Sequence, residues 1–138
     1  MKYQCKVEIN ASRDKVTELY QDITWQKELG LARKEIIKGE PWQTGSEAYL
    51  YFPVNEKELV MKETIEANNL PQSLTVIYEM GDTWNRCVNQ FIEKNGKVIY
   101  IMDVEFRFKE ELDIPKIKFI NQTQQEMVYF KSFVERNP

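Results

Sequence analysis

The sequence contains no histidine and only two cysteines, Cys5 and Cys87. Without histidine, Ser-His-Asp and Cys-His catalytic arrangements are excluded, and most zinc sites lose their commonest neutral ligand. The cysteines lie far apart in strand-like segments, and a chain of this size needs no disulfide, so we expect two small core residues. The sequence predicts neither a metal nor a cofactor.

Long apolar runs and basic clusters are also missing. No segment approaches the roughly twenty apolar residues of a membrane span, and the first ten residues, "MKYQCKVEIN", lack the apolar centre of a signal peptide. The net charge is −3, which disfavours nucleic acid and anionic membranes as partners. We expect a cytoplasmic protein without a membrane span, either a monomer or a weak homodimer.

The composition is that of a globular chain, with 42% hydrophobic and 30% charged residues over 138 positions. This length suits a single domain, residues 1–138, that buries about two-thirds of its unfolded surface. Aromatic residues make up 12% of the chain and concentrate in strand-like segments. The sequence therefore predicts one domain with one substantial core.

Periodicity predicts an α+β order of one strand, two short helices, six strands and one long helix. Polar and apolar residues alternate from Lys2 to Ile9, as in a half-buried strand. Ser12 offers an N-cap to a short amphipathic helix, and a second brief helix covers residues 24–29. Strands and turns continue to about Phe108, and a helix follows from Pro115 to about Glu135.

Two hairpin turns determine which strand residues share a face. Asn95-Gly96 and Gly81-Asp82 are two-residue hairpin signals, and the registers that they predict agree with each other. Together with a turn at Asn55-Glu56, they predict one mainly apolar face made of Leu50, Phe52, Leu59, Met61, Ile65, Leu74, Val76, Tyr78, Cys87, Phe91, Tyr100, Met102, Val104 and Phe106. Three polar residues, Glu63, Asn85 and Asn89, fall on the same face.

The opposite face of these strands is predicted to be polar. There Arg86 stands opposite Glu105, and Trp84 stands opposite Arg107 in a predicted cation–π contact. We interpret these four residues as stabilisers of the outer surface of the sheet.

The long C-terminal helix must cover the apolar face, yet its covering stripe is interrupted. Ile117, Ile120, Met127, Phe130 and Val134 form an apolar stripe, but the segment "NQTQQE" lies in its middle. Helical spacing directs Thr123 and Gln124 of this segment toward the sheet. Polar groups on both walls predict a gap between helix and sheet, because an unpaired buried polar group costs several kcal/mol unless it is hydrated or bonded.

Several segments resemble the SRPBCC superfamily, also called START-like or helix-grip, and within it the polyketide cyclase/dehydrase-type members. The stretch "KGEPWQTGSEAYLYF" is similar to that family's glycine-glutamate-proline turn into a strand. Further resemblance lies in "NNLPQSLTVIYEM", in the last hairpin "FIEKNGKVIYIMDVEFRF", in the helix entry "INASRDKVTELYQD" and in the helix end "QEMVYFKSFVE". These are marks of a fold, and none is a catalytic signature.

The resemblance implies a curved antiparallel sheet of about seven strands, wrapped around the long helix and enclosing a cavity. The expected function is binding of a small hydrophobic or amphipathic molecule, which is lipid-, aromatic- or polyketide-like, between sheet and helix. Trp25 and Trp42 are expected near the cavity mouth. The full set of predicted ligand-binding residues is Glu63, Tyr78, Asn85, Asn89, Tyr100, Met102, Met61, Leu50, Phe106, Trp25, Trp42, Thr123 and Gln124.

Two alternatives remain open at this point. One is a cyclase, dehydratase or hydrolase with Glu63 as base and Tyr78 or Tyr100 as hydrogen-bond donor, which needs Glu63 shifted toward neutral pH by burial. The other is a protein-interaction module that binds a partner through the outer face or an edge strand of the sheet. The absence of histidine and of a catalytic signature favours binding over catalysis.

Overall fold

A computed structural model describes all residues from Met1 to Pro138 and shows seven strands and three helices in the predicted order. Their bounds along the chain are β1 Lys2–Ile9, α1 Arg13–Tyr20, α2 Thr24–Glu28, β2 Arg33–Lys38, β3 Glu47–Val54, β4 Lys57–Asn69, β5 Ser73–Met80, β6 Thr83–Lys94, β7 Lys97–Phe108 and α3 Lys116–Glu135. None of these helices is long and apolar enough to cross a membrane.

All seven strands form one curved antiparallel sheet in the order β1-β7-β6-β5-β4-β3-β2. Strands β2 to β7 follow one another as a meander, and β1 returns to pair with β7. The two helices α1 and α2 therefore carry the chain from one edge of the sheet to the other. A β-bulge in β4, between Ile65 and Ala67, adds local bending.

The predicted registers of the central hairpins are confirmed. Phe91 lies opposite Tyr100 across the turn at Asn95-Gly96, where both turn residues have positive φ (54° and 76°). This backbone conformation matches the right-handed twist of paired strands and suits asparagine and glycine. The hairpins therefore place the predicted apolar residues together on the inner face of the sheet.

An aromatic cluster closes one end of the space between sheet and helices. We define it as Tyr20, Trp25, Phe91, Tyr100 and Phe130. The Tyr20 ring lies 5.3 Å from Phe130, 5.7 Å from Phe91 and 6.1 Å from Tyr100, measured between ring centroids. Phe91 and Tyr100 stack at 4.9 Å, and Trp25 lies 5.0 Å from Phe130. These rings join β6, β7, α1, α2 and α3 into one packed unit.

Helix α3 is buried only in its C-terminal half. Met127, Phe130, Phe133 and Val134 are each at most 4% exposed. The predicted apolar stripe extended back to Ile117, and that part of the prediction is wrong because this side chain is 57% exposed. The N-terminal half of α3 is less buried, and it packs through Ile120 against the core and through Phe119 against Phe106 of β7.

The outer face of the sheet carries charged and aromatic side chains. The Arg107 guanidinium lies 4.4 Å from the centre of the Trp84 ring, which confirms the predicted cation–π contact. Arg86 stands opposite Glu105 as predicted, but its ion pair, at 2.7 Å, is with Glu66. The arginine side chain reaches across β5 to Glu66, which the bulge in β4 leaves without a strand partner.

Residues of β6 alternate between the inner and outer faces of the sheet, so truncating two neighbouring residues should change stability by very different amounts. Phe91→Ala should lower the free energy of unfolding by about 3–5 kcal/mol, because Phe91 is only 1% exposed and its loss leaves a void. The matched control Ile92→Ala should stay within about 0.5 kcal/mol, since Ile92 is 46% exposed. Urea denaturation measures both, and equal losses would contradict the assigned faces.

Candidate functional site

A cavity of about 480 Å³ lies between the inner face of the sheet and α3. It falls within the range of roughly 300–1,000 Å³ that is usual for small-molecule sites. Of its 26 lining residues, 20 are hydrophobic. The space is therefore an apolar chamber with a small number of polar groups.

The cavity is bounded by the sheet and by α3, which contacts β7 through both Phe130 and Phe119. The sheet wall includes Leu50, Met61 and Val104, and α3 contributes Phe119 and Met127 to the facing wall. Protein interiors normally pack closely with few voids larger than a water molecule. Here the side chains on the N-terminal half of α3 do not fill the distance to the sheet.

The cavity reaches the surface at two places. Met80, Leu112 and Ile114 line one region, and these side chains are 38%, 42% and 48% exposed. At the other, Leu29, Gln122 and Glu126 line both the cavity and an open groove between α2 and α3. The chamber is thus accessible to a molecule from solvent.

Nine of the thirteen predicted site residues line this cavity. They come from β3 to β7, from α2 and from α3, and their role in binding a ligand stays a prediction. These residues are Leu50, Met61, Tyr78, Asn85, Tyr100, Met102, Phe106, Trp25 and Thr123.

Several polar groups of the lining are already bonded to the protein. The Thr123 and Tyr3 hydroxyls lie 2.7 Å apart, and this bond ties α3 to β1. Burial raises the pKa of Tyr3 to about 12, although the hydrogen bond to Thr123 opposes the rise. Asn85 donates to the Glu105 carbonyl oxygen at 3.1 Å and accepts from the Cys87 thiol at 3.4 Å. Tyr3, Thr123 and Asn85 therefore shape the wall.

Asn89 and Gln124 lie outside the cavity lining. Asn89 is fully buried, donates to the Leu74 carbonyl oxygen at 3.1 Å and accepts from the Tyr100 hydroxyl at 2.6 Å. Gln124 instead donates to the Lys6 carbonyl oxygen on β1, at 3.1 Å. Both amides have protein partners that the linear sequence does not reveal.

Glu63 also lies outside the lining, in a buried ion pair. Its Oε1 atom is 2.9 Å from the Lys34 Nζ atom, and the two side chains are only 2% and 7% exposed. The Lys34 ammonium lies 4.0 Å from the centre of the Trp42 ring, and Trp42 in turn packs 6.2 Å from Tyr20. Trp42 therefore covers the ion pair and does not line the cavity mouth.

Glu126 is a cavity residue that the sequence analysis did not single out. It lies three residues after Thr123 and four before Phe130, and all three side chains line the cavity. Residues at these spacings share one face of a helix. Helical periodicity could therefore have found Glu126 once Thr123 was placed toward the sheet.

The environment of Glu126 is unusual for a carboxyl group. Its side chain is exposed at the point where the cavity meets the groove between α2 and α3, and it lines both. Burial raises the pKa of Glu126 above its ordinary value, and the Gln122 amide one turn earlier only partly offsets this. The charge of Glu126 contributes to raising the pKa of Cys87 to about 12, after burial itself. A carboxyl thus faces an apolar chamber.

Gln26 adds a second polar group with unused capacity. It lies on α2 and lines the cavity, and its buried Oε1 atom has no hydrogen-bond partner in the protein. Buried acceptors without a donor are uncommon, because each forfeits a hydrogen bond that water would supply. The chamber thus contains one carboxyl group, Glu126, that pairs with no protein cation, and one buried amide oxygen, that of Gln26, that no protein donor reaches.

Comparisons with known proteins identify the fold. Neither protein-family models nor curated proteins match the chain. Among solved structures, Ara h 8.0201 superposes with a TM-score of 0.82 at 12% identity over 99% of both chains. A START superfamily protein from Mycobacterium smegmatis superposes with a TM-score of 0.75 at 15% identity over 99% of both chains. Ginseng major latex-like protein 151 from Panax ginseng superposes with a TM-score of 0.73 at 12% identity over 96% of both chains. The chain has the START-like, helix-grip fold.

The buried ion pair makes a prediction about stability. Lys34→Met should lower the free energy of unfolding by about 3–5 kcal/mol, because it leaves the buried Glu63 carboxyl without its cation. Lys34→Met combined with Glu63→Leu should recover much of this loss, since no buried charge remains. Lys38→Met on the same strand is the control, because the Lys38 side chain is 71% exposed. Chemical denaturation showing equal losses for Lys34→Met and Lys38→Met would refute the importance of the pair.

The raised pKa of Glu126 makes a prediction about pH. A carboxyl with a higher pKa in the folded chain holds its proton more tightly there than in the unfolded chain. Folding stability should therefore fall as pH rises from the ordinary value of 4.5 through the raised value. Glu126→Gln should remove this loss, so its melting temperature should exceed that of the wild type above the raised pKa and converge with it in acid.

Thermal unfolding over a pH series measures this difference between Glu126→Gln and the wild type. The exposed Glu93→Gln variant controls for the loss of one negative charge. A melting-temperature difference that does not change with pH would show that folding does not perturb the Glu126 carboxyl.

Proposed function

We propose that the protein binds a small hydrophobic or amphipathic molecule in the cavity between the sheet and α3. The observation that carries this proposal is the chamber of about 480 Å³ with 20 hydrophobic residues among its 26 lining residues. Removing the apolar surface of a ligand from water supplies the affinity, at roughly 25 cal/mol per Å² before the costs of association. The polar minority of the lining then orients the ligand.

The aromatic cluster supports the proposal because it keeps the chamber open at a defined size. It holds α3 against the sheet through Phe130, which lies 5.9 Å from Tyr100, and Phe119 in the N-terminal half packs 5.2 Å from Phe106 on β7. A preformed cavity avoids the ordering cost that a collapsible site incurs on binding. The helix-grip fold that the chain shares with its structural neighbours is consistent with a ligand-binding scaffold.

The alternative in which Glu63 acts as a general base has less support. Its carboxylate is held by Lys34 and does not line the cavity, so a substrate in the chamber has no direct access to it. A general base must lie within hydrogen-bond reach of the proton that it removes. The geometry therefore favours binding over this particular chemistry.

Filling the cavity tests the proposal. Met102→Trp places a larger side chain into the chamber from β7 and should reduce the binding of a neutral apolar dye, N-phenyl-1-naphthylamine, by at least about tenfold. Dye fluorescence measures the affinity. Ile92→Trp, on the outer face of β6, is the matched control and should bind the dye like the wild type. Circular dichroism establishes that both variants are folded.

The dye experiment also has a result that overturns the proposal. A wild-type protein that does not bind the dye, or a folded Met102→Trp variant that binds it unchanged, would show that the chamber is not a ligand site.

A further inference from the structure

The cavity lining carries a negatively charged side chain but no positively charged one. Among the 26 lining residues, Glu126 is the only one with a formally charged side chain, and neither lysine nor arginine lines the space. Lys34, a buried cation on the inner side of the sheet, is already engaged by Glu63, and Lys118 lines only the adjoining groove between α2 and α3. A ligand in the chamber therefore meets one carboxyl group and no protein cation.

The aromatic rings of the lining also favour a positively charged ligand. Ten of the lining residues are Phe, Tyr or Trp, among them Tyr20, Trp25 and Phe130 of the aromatic cluster. The face of an aromatic ring carries negative partial charge and attracts ammonium groups within about 6 Å, more strongly where water is excluded. Rings and carboxylate thus favour positive charge and disfavour negative charge.

Two groups on the α2–α3 side of the chamber can accept a hydrogen bond from a ligand. The Gln26 Oε1 atom is buried without a donor, and the carboxyl of Glu126 is paired with no protein cation. An ammonium group supplies up to three donors and one positive charge, and so can satisfy both kinds of group. A carboxylate ligand can supply neither.

We propose that the cavity selects ligands in which a protonated amine is attached to an apolar body, and that Glu126 is the residue that anchors the amine. This inference rests on the proposed ligand-binding function and adds the chemical class of the ligand. The apolar body occupies the chamber between β-sheet and α3. The ammonium group lies at the α2–α3 side, where Glu126 and Gln122 border both the chamber and the groove.

The charge asymmetry also explains which amphipathic molecules are rejected. A fatty carboxylate in this chamber places a second negative charge near Glu126 with no lysine or arginine to compensate it. Two carboxylates in one apolar site cannot both ionise without a large cost. Anionic lipids should therefore bind more weakly than neutral molecules of the same size.

Three probes of equal chain length test the inference: octylammonium, octanol and octanoate. Titration calorimetry, or displacement of N-phenyl-1-naphthylamine, compares their affinities at neutral pH. The expected order is octylammonium, then octanol, then octanoate. Glu126→Gln should weaken octylammonium binding by about tenfold to a hundredfold, the range expected for losing one charged hydrogen bond in a partly buried site. It should leave octanol unchanged and should improve octanoate.

Glu93→Gln serves as the control for net charge, because Glu93 is exposed on β6 and does not line the cavity. It should keep the wild-type order of the three probes. Equal losses of octylammonium affinity in Glu126→Gln and Glu93→Gln would indicate a long-range charge effect and overturn the anchoring role of Glu126.

A pH series adds a readout that a structural role for Glu126 would not change. Octylammonium affinity should increase with pH through the raised pKa of Glu126, while Glu126→Gln should show no such increase. The titratable groups facing Glu126 from the chamber are Tyr3 of β1, Tyr20 of α1, Cys87 of β6 and Tyr100 of β7, and burial raises the pKa of each. On the groove side, Lys118 and Tyr129 of α3 line the same surface as Glu126. The four chamber groups stay neutral over the range, and Gln26 and Gln122 do not titrate.

The outcomes separate this inference from the function on which it rests. If octanol binds but octylammonium is not preferred, or if Glu126→Gln does not change that preference, amine selection is wrong and the ligand-binding function stands. If none of the probes and no dye binds, the proposed function itself fails, and amine selection fails with it.

Discussion

The packing of α3 against the sheet through the aromatic cluster is the interaction on which the rest of the structure depends. Phe130 brings α3 into contact with Tyr20 and Trp25, and Tyr20 reaches Phe91 and Tyr100 on the sheet. Because these large rings are rigid and fully packed, they hold one end of the helix at a fixed distance from the strands. The other end contacts β1 through Thr123 and β7 through Phe119, and the cavity is the space left between the helix and the inner face of the sheet.

Polar groups on the inner face are divided between two environments. Asn89 and the Glu63–Lys34 pair are bonded within the core, where they specify packing. Glu126 and Gln26 line the chamber. No protein cation pairs with Glu126, and no protein donor bonds the Gln26 Oε1 atom. Buried polar groups are normally bonded because an unpaired one is costly. Unpaired polar groups at a cavity wall favour a ligand that can bond them over one that cannot.

The fold alone does not define what this chain binds. Solved structures with the same architecture share only 10–15% of their residues with it, and a helix-grip scaffold can hold different side chains at the same wall positions. The chamber of this chain is lined by ten aromatic residues and one carboxyl, with no lysine or arginine. The selectivity proposed above therefore depends on these lining residues, and the fold supplies the volume of the cavity.

The sequence by itself determined the order of elements, the hairpin registers and the inner face of the sheet. These depend on local signals, since a two-residue turn such as Asn95-Gly96 fixes every pair along its hairpin. Only the tertiary structure decided the partners of long side chains. Lys34 reaches Glu63 across β3, and Arg86 reaches Glu66 across β5, because neighbouring strands and a bulge bring together residues remote in sequence. It also decided that the helix face carrying Thr123, Glu126 and Phe130 borders a cavity, because helical spacing shows which residues share a face but not that the space beside them stays unfilled.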